Sequence, residues 1–342
     1  MVENRMIRSV NRIITLLVFG VLFLAACSGR VQPTLVSVLP TSSSTPAEPP
    51  SATLPQPTAL SPVPDIPTDI TTALPPTSTP GPQPLRFAVI GDYGSGDRME
   101  GDVAALVRSW QPDLVITTGD NNYPDGTAET IDENIGQFYH QFISPYLGSY
   151  GEGAKENRFF PSLGNHDWHA VAAQPYLDYF NLPGNERYYD FTWGSVHFFA
   201  LDSNKEEPDG AELSSTQANW LQSRLSNSGS PWKIVYMHHP PYSSGRHGSI
   251  KRMQWPFAEW GADVVISGHD HTYERISRDG ILYIVNGLGG ASRYSFPDNI
   301  DGSVVRYNED HGAMLVEVSE QMLHVQFVNR DGIVIDDFEL KK

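Results

Sequence analysis

The chain has 342 residues, 39% of them hydrophobic, with 23 basic and 40 acidic residues for a formal net charge of −17. That length holds one large domain or two small ones, and that charge argues against nucleic acid or an anionic membrane face as partner, since both need a basic surface. A single cysteine, Cys27, excludes a disulfide framework within one chain.

Arg5, Arg8 and Arg12 precede an apolar run from Ile13 to Phe23, and Leu24-Ala25-Ala26-Cys27 closes the run in small residues. The run is short for a bilayer span. Positive start, apolar centre and small-residue end together describe a secretory signal over residues 1–26. Leu-Ala-Ala-Cys resembles the bacterial lipobox, which implies that Cys27 is lipidated and becomes the mature N-terminus. The protein would then be exported and anchored to the cell membrane or outer envelope. An uncleaved membrane anchor is the alternative. From 27 to 84 the composition turns rich in Pro, Ser and Thr, with few charges and no aromatics. Such a segment cannot offset its ordering entropy by burial and reads as a disordered tether. The domain from 85 to 342 carries the whole charge imbalance.

Within that domain short apolar runs end at glycine or histidine followed by polar residues. Phe87–Ile90 runs into Gly91-Asp92, and Leu114–Ile116 into Gly119-Asp120. Phe159–Leu163 leads to Gly164-Asn165-His166-Asp167, Ile234–Met237 to His238-His239-Pro240, and Val264–Ile266 to Gly268-His269-Asp270-His271. Such β-branched and aromatic runs read as buried strands. Asp102–Trp110 and Thr216–Leu225 read as helices between them, and Ala313–Val318 with Leu323–Val328 as a hairpin. The class is α/β, a layered sandwich of mixed sheets with ligands gathered at strand ends.

Asp92, Asp120, Asn165, His238, His269 and His271 offer carboxylate, amide and imidazole donors, which suit hard to borderline divalent and trivalent ions. Without thiolate a structural zinc site does not fit. Six ligands exceed what one catalytic ion needs; two ions sharing a bridging carboxylate can clamp both oxygens of a phosphoryl transfer. They would also give an acidic protein the local positive charge that a phosphate ester requires.

The ordered blocks Gly91-Asp92-Tyr93-Gly94, Gly119-Asp120-Asn121-Asn122-Tyr123, Gly164-Asn165-His166-Asp167, Val235-Tyr236-Met237-His238 and Gly268-His269-Asp270-His271 resemble those of calcineurin-like metallophosphoesterases. Gly-Asp-x-x-Tyr at Gly119–Tyr123 narrows the resemblance to purple acid phosphatases, and His238–His247 is similar to their small, tartrate-resistant type. The resemblance implies a four-layer αββα sandwich of two mixed β-sheets flanked by helices, with a dinuclear metal site at strand C-terminal ends. It implies that Asp92, Tyr123 and His271 hold Fe(3+), that Asp120 bridges, and that Asn165, His238 and His269 hold a divalent ion (Fe2+, Zn2+ or Mn2+). His166 and His247 would face the substrate as catalytic groups. Two departures stand out: Arg246 replaces an acidic residue of the small animal enzymes, and their cysteines are missing.

The implied function is an acid phosphatase, a monomeric domain that hydrolyses small phosphate monoesters by attack of a metal-bound hydroxide, with His166 or His247 protonating the leaving group. The alternatives are a phosphodiesterase or nucleotidase with the same site, and a non-catalytic surface binding protein. For Tyr123 the alternative is a ring that caps the core before Pro124, in which case iron is not implied. His239 would point away from the pocket if it continued the strand, unless the turn at Pro240-Pro241 brings it back. His169 could equally lie on the surface. Gly287–Gly290 lacks the Lys-Ser/Thr of a phosphate loop and reads as a tight turn lining the site.

Overall fold

The computed structural model describes residues 84–342. The signal over 1–26 and the tether from 27 lie outside the described residues, except for Pro84. Among the described residues no helix is long and apolar enough to cross a membrane.

The elements in chain order are β1 (Leu85–Ile90), α1 (Arg98–Ser109), β2 (Leu114–Thr117), α2 (Gln137–Tyr139), β3 (Phe159–Pro161) and α3 (Gln174–Tyr179). Then come β4 (Tyr189–Trp193), β5 (Val196–Ala200), α4 (Thr216–Ser226), β6 (Trp232–Tyr236), α5 (Phe257–Trp260) and β7 (Val264–Ser267). The chain closes with β8 (Tyr273–Arg278), β9 (Ile281–Asn286), β10 (Ser303–Tyr307), β11 (Gly312–Val318), β12 (Met322–Asn329) and β13 (Val334–Lys341). They form two mixed sheets flanked by helices. One has six strands in the order β13-β12-β11-β1-β2-β3, the other seven in the order β10-β8-β9-β7-β6-β5-β4.

The uninterrupted apolar runs follow from burial on both sheet faces. In β6 and β7, Ile234, Tyr236, Val264 and Ile266 belong to the core shared with the first sheet, where Phe87 of β1 meets Phe198 of β5 edge-on at 5.1 Å. Their neighbours Val235 and Val265 belong to a second core with Ala218, Leu221 and Leu225 of α4 and Phe257 of α5. Each such buried side chain contributes about 1.5–3 kcal/mol of transfer free energy.

Register decides where the strands deliver their loops. β1 and β2 pair in parallel with Ile90 opposite Thr117, and β6 and β7 pair in parallel with Tyr236 opposite Ile266. Each pair therefore ends level. Asn286 Nδ2, at the end of β9, donates to Val89 O of β1 at 3.0 Å and ties the two sheets beside those ends.

Three boundaries differ from the sequence reading. Helix α1 starts at Arg98 rather than Asp102, because Asp97 caps it: its carboxylate accepts from the Met99 and Glu100 amides at 2.8 and 3.2 Å, and Glu100 Oε2 accepts from Gly96 N at 2.8 Å. That reciprocal pair is a helix-start device. Strand β3 stops at Pro161, which has no N–H to give a ladder, and the chain then turns through Gly164. Strand β6 stops at Tyr236, so His238 and His239 both lie beyond it.

Candidate metal centre

The five loops that leave β1, β2, β3, β6 and β7 converge. Asp92, Asp120 and His269 have φ of 52°, 52° and 68°, a left-handed backbone that costs a residue other than glycine roughly 1–3 kcal/mol. The strain falls on three candidate ligands, where it bends the chain off the strand and turns the side chain inward. Glycines make room for this. A Cβ on Gly268 would lie 2.4 Å from Asp92 Oδ2, so only glycine lets the β7 loop come this close to the β1 loop.

All seven candidate ligands meet, in two groups. In the first, His271 Nε2 lies 3.3 Å from Asp92 Oδ1 and 3.2 Å from the Tyr123 hydroxyl. That hydroxyl lies 3.0 Å from Asp120 Oδ2 and 3.5 Å from Asp92 Oδ1. In the second, His238 Nε2 lies 3.0 Å from Asn165 Oδ1, 3.1 Å from His269 Nδ1 and 3.4 Å from Asp120 Oδ1. The two oxygens of Asp120 thus face different groups.

The donor set fits cations. Asp92 and Asp120 are 0% and 2% exposed, and their ion-pair partners among the described residues are histidines alone. Buried carboxylates without a cation are costly. The histidines point lone pairs at them. His238 Nδ1 sits 2.9 Å from Thr118 O and His271 Nδ1 hydrogen-bonds Ser292 O. A carbonyl only accepts, so each Nδ1 carries the proton and a neutral ring leaves Nε2 bare toward the centre, the arrangement that orients metal-bound imidazoles. Asp92, Asp120 and His271 each place a ligand atom within 4.8 Å of the others.

Ionisation follows from crowding. Burial, with the surrounding imidazoles, holds His269 well below its ordinary value, which keeps it a neutral ligand. Burial and then the carboxylates of Asp120 and Asp92 hold the Tyr123 phenol well above its usual range. Burial alone would lower His271, but hydrogen bonding to Asp92 and the charge of that carboxylate leave it raised, favouring a second proton on Nε2 that a bound cation would displace.

His166 and His247 flank the centre. His166 Nδ1 is 2.5 Å from Pro124 O, so it donates there and turns Nε2 toward Asp120 Oδ2 at 4.0 Å. The ring of His247 lies 4.3 Å from that of His269. His239 joins them: its ring is 4.5 Å from His269 and its Nδ1 2.9 Å from Ser203 Oγ. Of the two alternatives for His239 the structure shows the inward one, because the strand has already ended at Tyr236. His169 is partly exposed, 3.4 Å from Asp125 Oδ1, with its ring 4.7 Å from His166. The Gly287–Gly290 turn does line the site, since a Cβ on Gly287 would lie 2.7 Å from Asp92 Oδ2.

Several residues escaped the sequence reading. Buried Asp270 accepts from Ser243 Oγ at 2.5 Å and from the amides of His247 and Gly248 at 2.7 and 3.1 Å, which fixes the loop bearing His247. Asp167 accepts from Gly164 N and Asn121 Nδ2, each at 2.8 Å, joining the β2 and β3 loops. Burial and then the charge of Asp120 push its carboxyl up to about 7. The Tyr294 ring stacks on His271 at 4.0 Å, with the Arg246 guanidinium 5.2 Å from its centre. On the other side Asn165 and His269 line a cleft of about 370 Å³, with Trp168, His239 and Arg252 in its wall. A position between two histidine ligands was the one available signal for Asp270; the others carry no local pattern.

Residues 85–273 match the family model for calcineurin-like phosphoesterases. The chain is 28% identical to purple acid phosphatase 15 of Arabidopsis thaliana, over 63% of this chain and 47% of that one. It is 23% identical to tartrate-resistant acid phosphatase type 5 of Mus musculus, over 60% of this chain and 72% of that one. The chain spans about half the length of several plant relatives that it matches. A purple acid phosphatase from yellow lupin (Lupinus luteus) seeds shares the fold, with a TM-score of 0.62 at 19% identity, over 75% of this chain and 54% of that one.

Proposed function

The chain belongs to the calcineurin-like phosphoesterase family, and on that footing we propose that it is an acid phosphatase that hydrolyses phosphate monoesters at a dinuclear metal site. One observation carries the reading: two sets of lone-pair donors meet at the two oxygens of one buried carboxylate, Asp120, with no Lys or Arg to balance them. Asp92, Tyr123 and His271 would hold one ion, Asn165, His238 and His269 the other, and Asp120 would serve both. Carboxylate and phenol in the first set favour a trivalent ion such as iron; amide and imidazoles in the second suit a divalent one. When bound, such a pair lowers the pKa of a coordinated water and offsets the charge on phosphoryl oxygens.

The chain's own groups supply the remaining steps. His166 and His247 approach from different loops, and either, as imidazolium, can hold the proton that the departing alkoxide takes. His238 is oriented by Thr118 O and His271 by Ser292 O, so their rings need no reorganisation when the ester arrives. Tyr294 roofs the first set, so the leaving group would depart over the second.

We further propose a monomeric domain, exported and held at the envelope through a lipidated Cys27, whose partner is a small phosphate ester and not a nucleic acid. The closed Leu-Ala-Ala-Cys motif supports this. Cys27→Ala should release the protein from membranes or block processing, and an unmodified Cys27 still joined to residues 1–26 would contradict it. For the activity, the test is a screen of mono- and diesters across pH with the purified, metal-loaded protein. Monoester turnover greatest at acid pH supports the reading; turnover of diesters alone would replace it with the phosphodiesterase alternative.

A further inference from the structure

The cleft beside Asn165 and His269 has in its wall a cation that the fold only partly engages. Arg252 rises from the turn Lys251–Met253, which buried Met253 and the bond from Trp255 Nε1 to Arg252 O, at 2.8 Å, hold in place. One Nη donates to Ser203 O at 2.7 Å. Its Nε is buried with no partner, and among the described residues no carboxylate pairs with it. A guanidinium has five N–H donors, so most of its hydrogen-bonding capacity remains. Leaving it unspent is costly.

Lys205 shares the wall but is exposed, with its ammonium 3.6 Å from Glu206 Oε1. Glu206 lines the cleft too, so that pair contributes little net charge. Arg252 is the cation of that wall with no ion pair among the described residues. Its cleft opens on the Asn165 and His269 side of the centre, whereas Tyr294 covers the other side. A phosphate ester seated at the centre therefore extends its alcohol part toward Arg252.

We propose that Arg252 receives a second anionic group of the substrate, so that the preferred esters carry a carboxylate or a further phosphate on the leaving alcohol. The inference rests on the phosphatase reading above and narrows its substrate class. Arg252 touches the leaving group and not the reacting phosphorus. Its loss acts mainly on KM, because the contact is made equally in the ground and transition states.

The test compares 3-phosphoglycerate with glycerol 3-phosphate, which differ only by a carboxylate in place of a hydroxymethyl group, in the full-length, metal-loaded wild type and in Arg252→Gln and Arg252→Lys. Wild type should favour 3-phosphoglycerate. In Arg252→Gln the ratio of kcat/KM for the two esters should fall by about ten- to hundredfold, the range for a hydrogen bond to a charged group. Arg252→Lys should recover part of it, since it keeps the charge and loses the fork; it also decides the matter should the glutamine variant not fold. An unchanged ratio, or equal losses on both esters, would overturn the proposal and leave Arg252 as a brace for the Ser203 carbonyl. If wild type hydrolyses neither ester, the phosphatase reading is decided by the wider screen of mono- and diesters. Calorimetric binding of the two compounds to wild type and Arg252→Gln then judges the subsite by the same ratio.

Discussion

Around Asp92, Tyr123 and His271 the centre is closed, and around Asn165, His238 and His269 it is open. On the closed side the Tyr294 ring lies flat on His271 at 4.0 Å, and the donors include a carboxylate and an ionisable phenol. On the open side the donors are an amide and two neutral imidazoles, and Asn165 and His269 form part of a cleft wall. Asp120 is common to both, one oxygen to each. The first set therefore carries its own carboxylate, Asp92, and neutral donors stand beside the cleft. On the proposed reading the closed side suits the more highly charged ion, and the open side meets the substrate.

The change that should break both sides at once is Asp120→Ala. Both ions should be lost and kcat/KM should fall by roughly 10⁴-fold or more, since charge offset and nucleophile activation go together. Elemental analysis beside steady-state kinetics checks this; retention of one full ion would mean that the two sides do not depend on a shared ligand.

His166→Ala and His247→Ala probe the groups above the centre. Each should lower kcat on alkyl phosphates by roughly 10²–10⁴-fold with metal content near normal. Aryl phosphates, whose leaving groups need less protonation, should suffer less. Wild-type kcat on alkyl phosphates in His247→Ala would remove that loop from the catalytic site.

Tyr123→Phe tests the closed side alone. Deleting one hydroxyl should remove the visible phenolate-to-iron absorption and cost about tenfold in activity, with the open-side ion still bound. An unchanged spectrum would return Tyr123 to the role of a ring that caps the core.

The smallest effect should come from Asp270→Asn, which weakens the anchor of the His247 loop without touching substrate. Three hydrogen bonds end on that carboxylate, and each such bond to a charged group contributes about 1.5–3 kcal/mol. A modestly lower denaturation midpoint should accompany a several-fold loss in kcat on alkyl phosphates. The loss should shrink on aryl phosphates, as it does for His247→Ala; a uniform loss on both would make Asp270 a purely structural residue.

The same division separates what the sequence disclosed from what it withheld. The closed-side donors and those beside the cleft sit directly past apolar strands, each announced by glycine or histidine, so strand ends and ligands could be read together. Strands β8 and β10 carry no such marker and went unread, and β9 went unread although Gly287 follows it. In β10 exposure alternates along Ser303–Tyr307, a pattern of an edge rather than a core. Arg252, Trp168 and Tyr294 reach the site from separate loops, and nothing in their neighbours records that convergence. His239 stayed open for a related reason: the period of two holds only while the strand lasts, and β6 ends at Tyr236.

The division of labour across Asp120 is tested most directly by metal stoichiometry in fully active protein, with the identity of each ion. About two ions per chain are expected, at least one of them iron, with the second lost selectively in Asn165→Ala. Full activity with one ion per chain, or with a complete complement of zinc alone, would contradict the account.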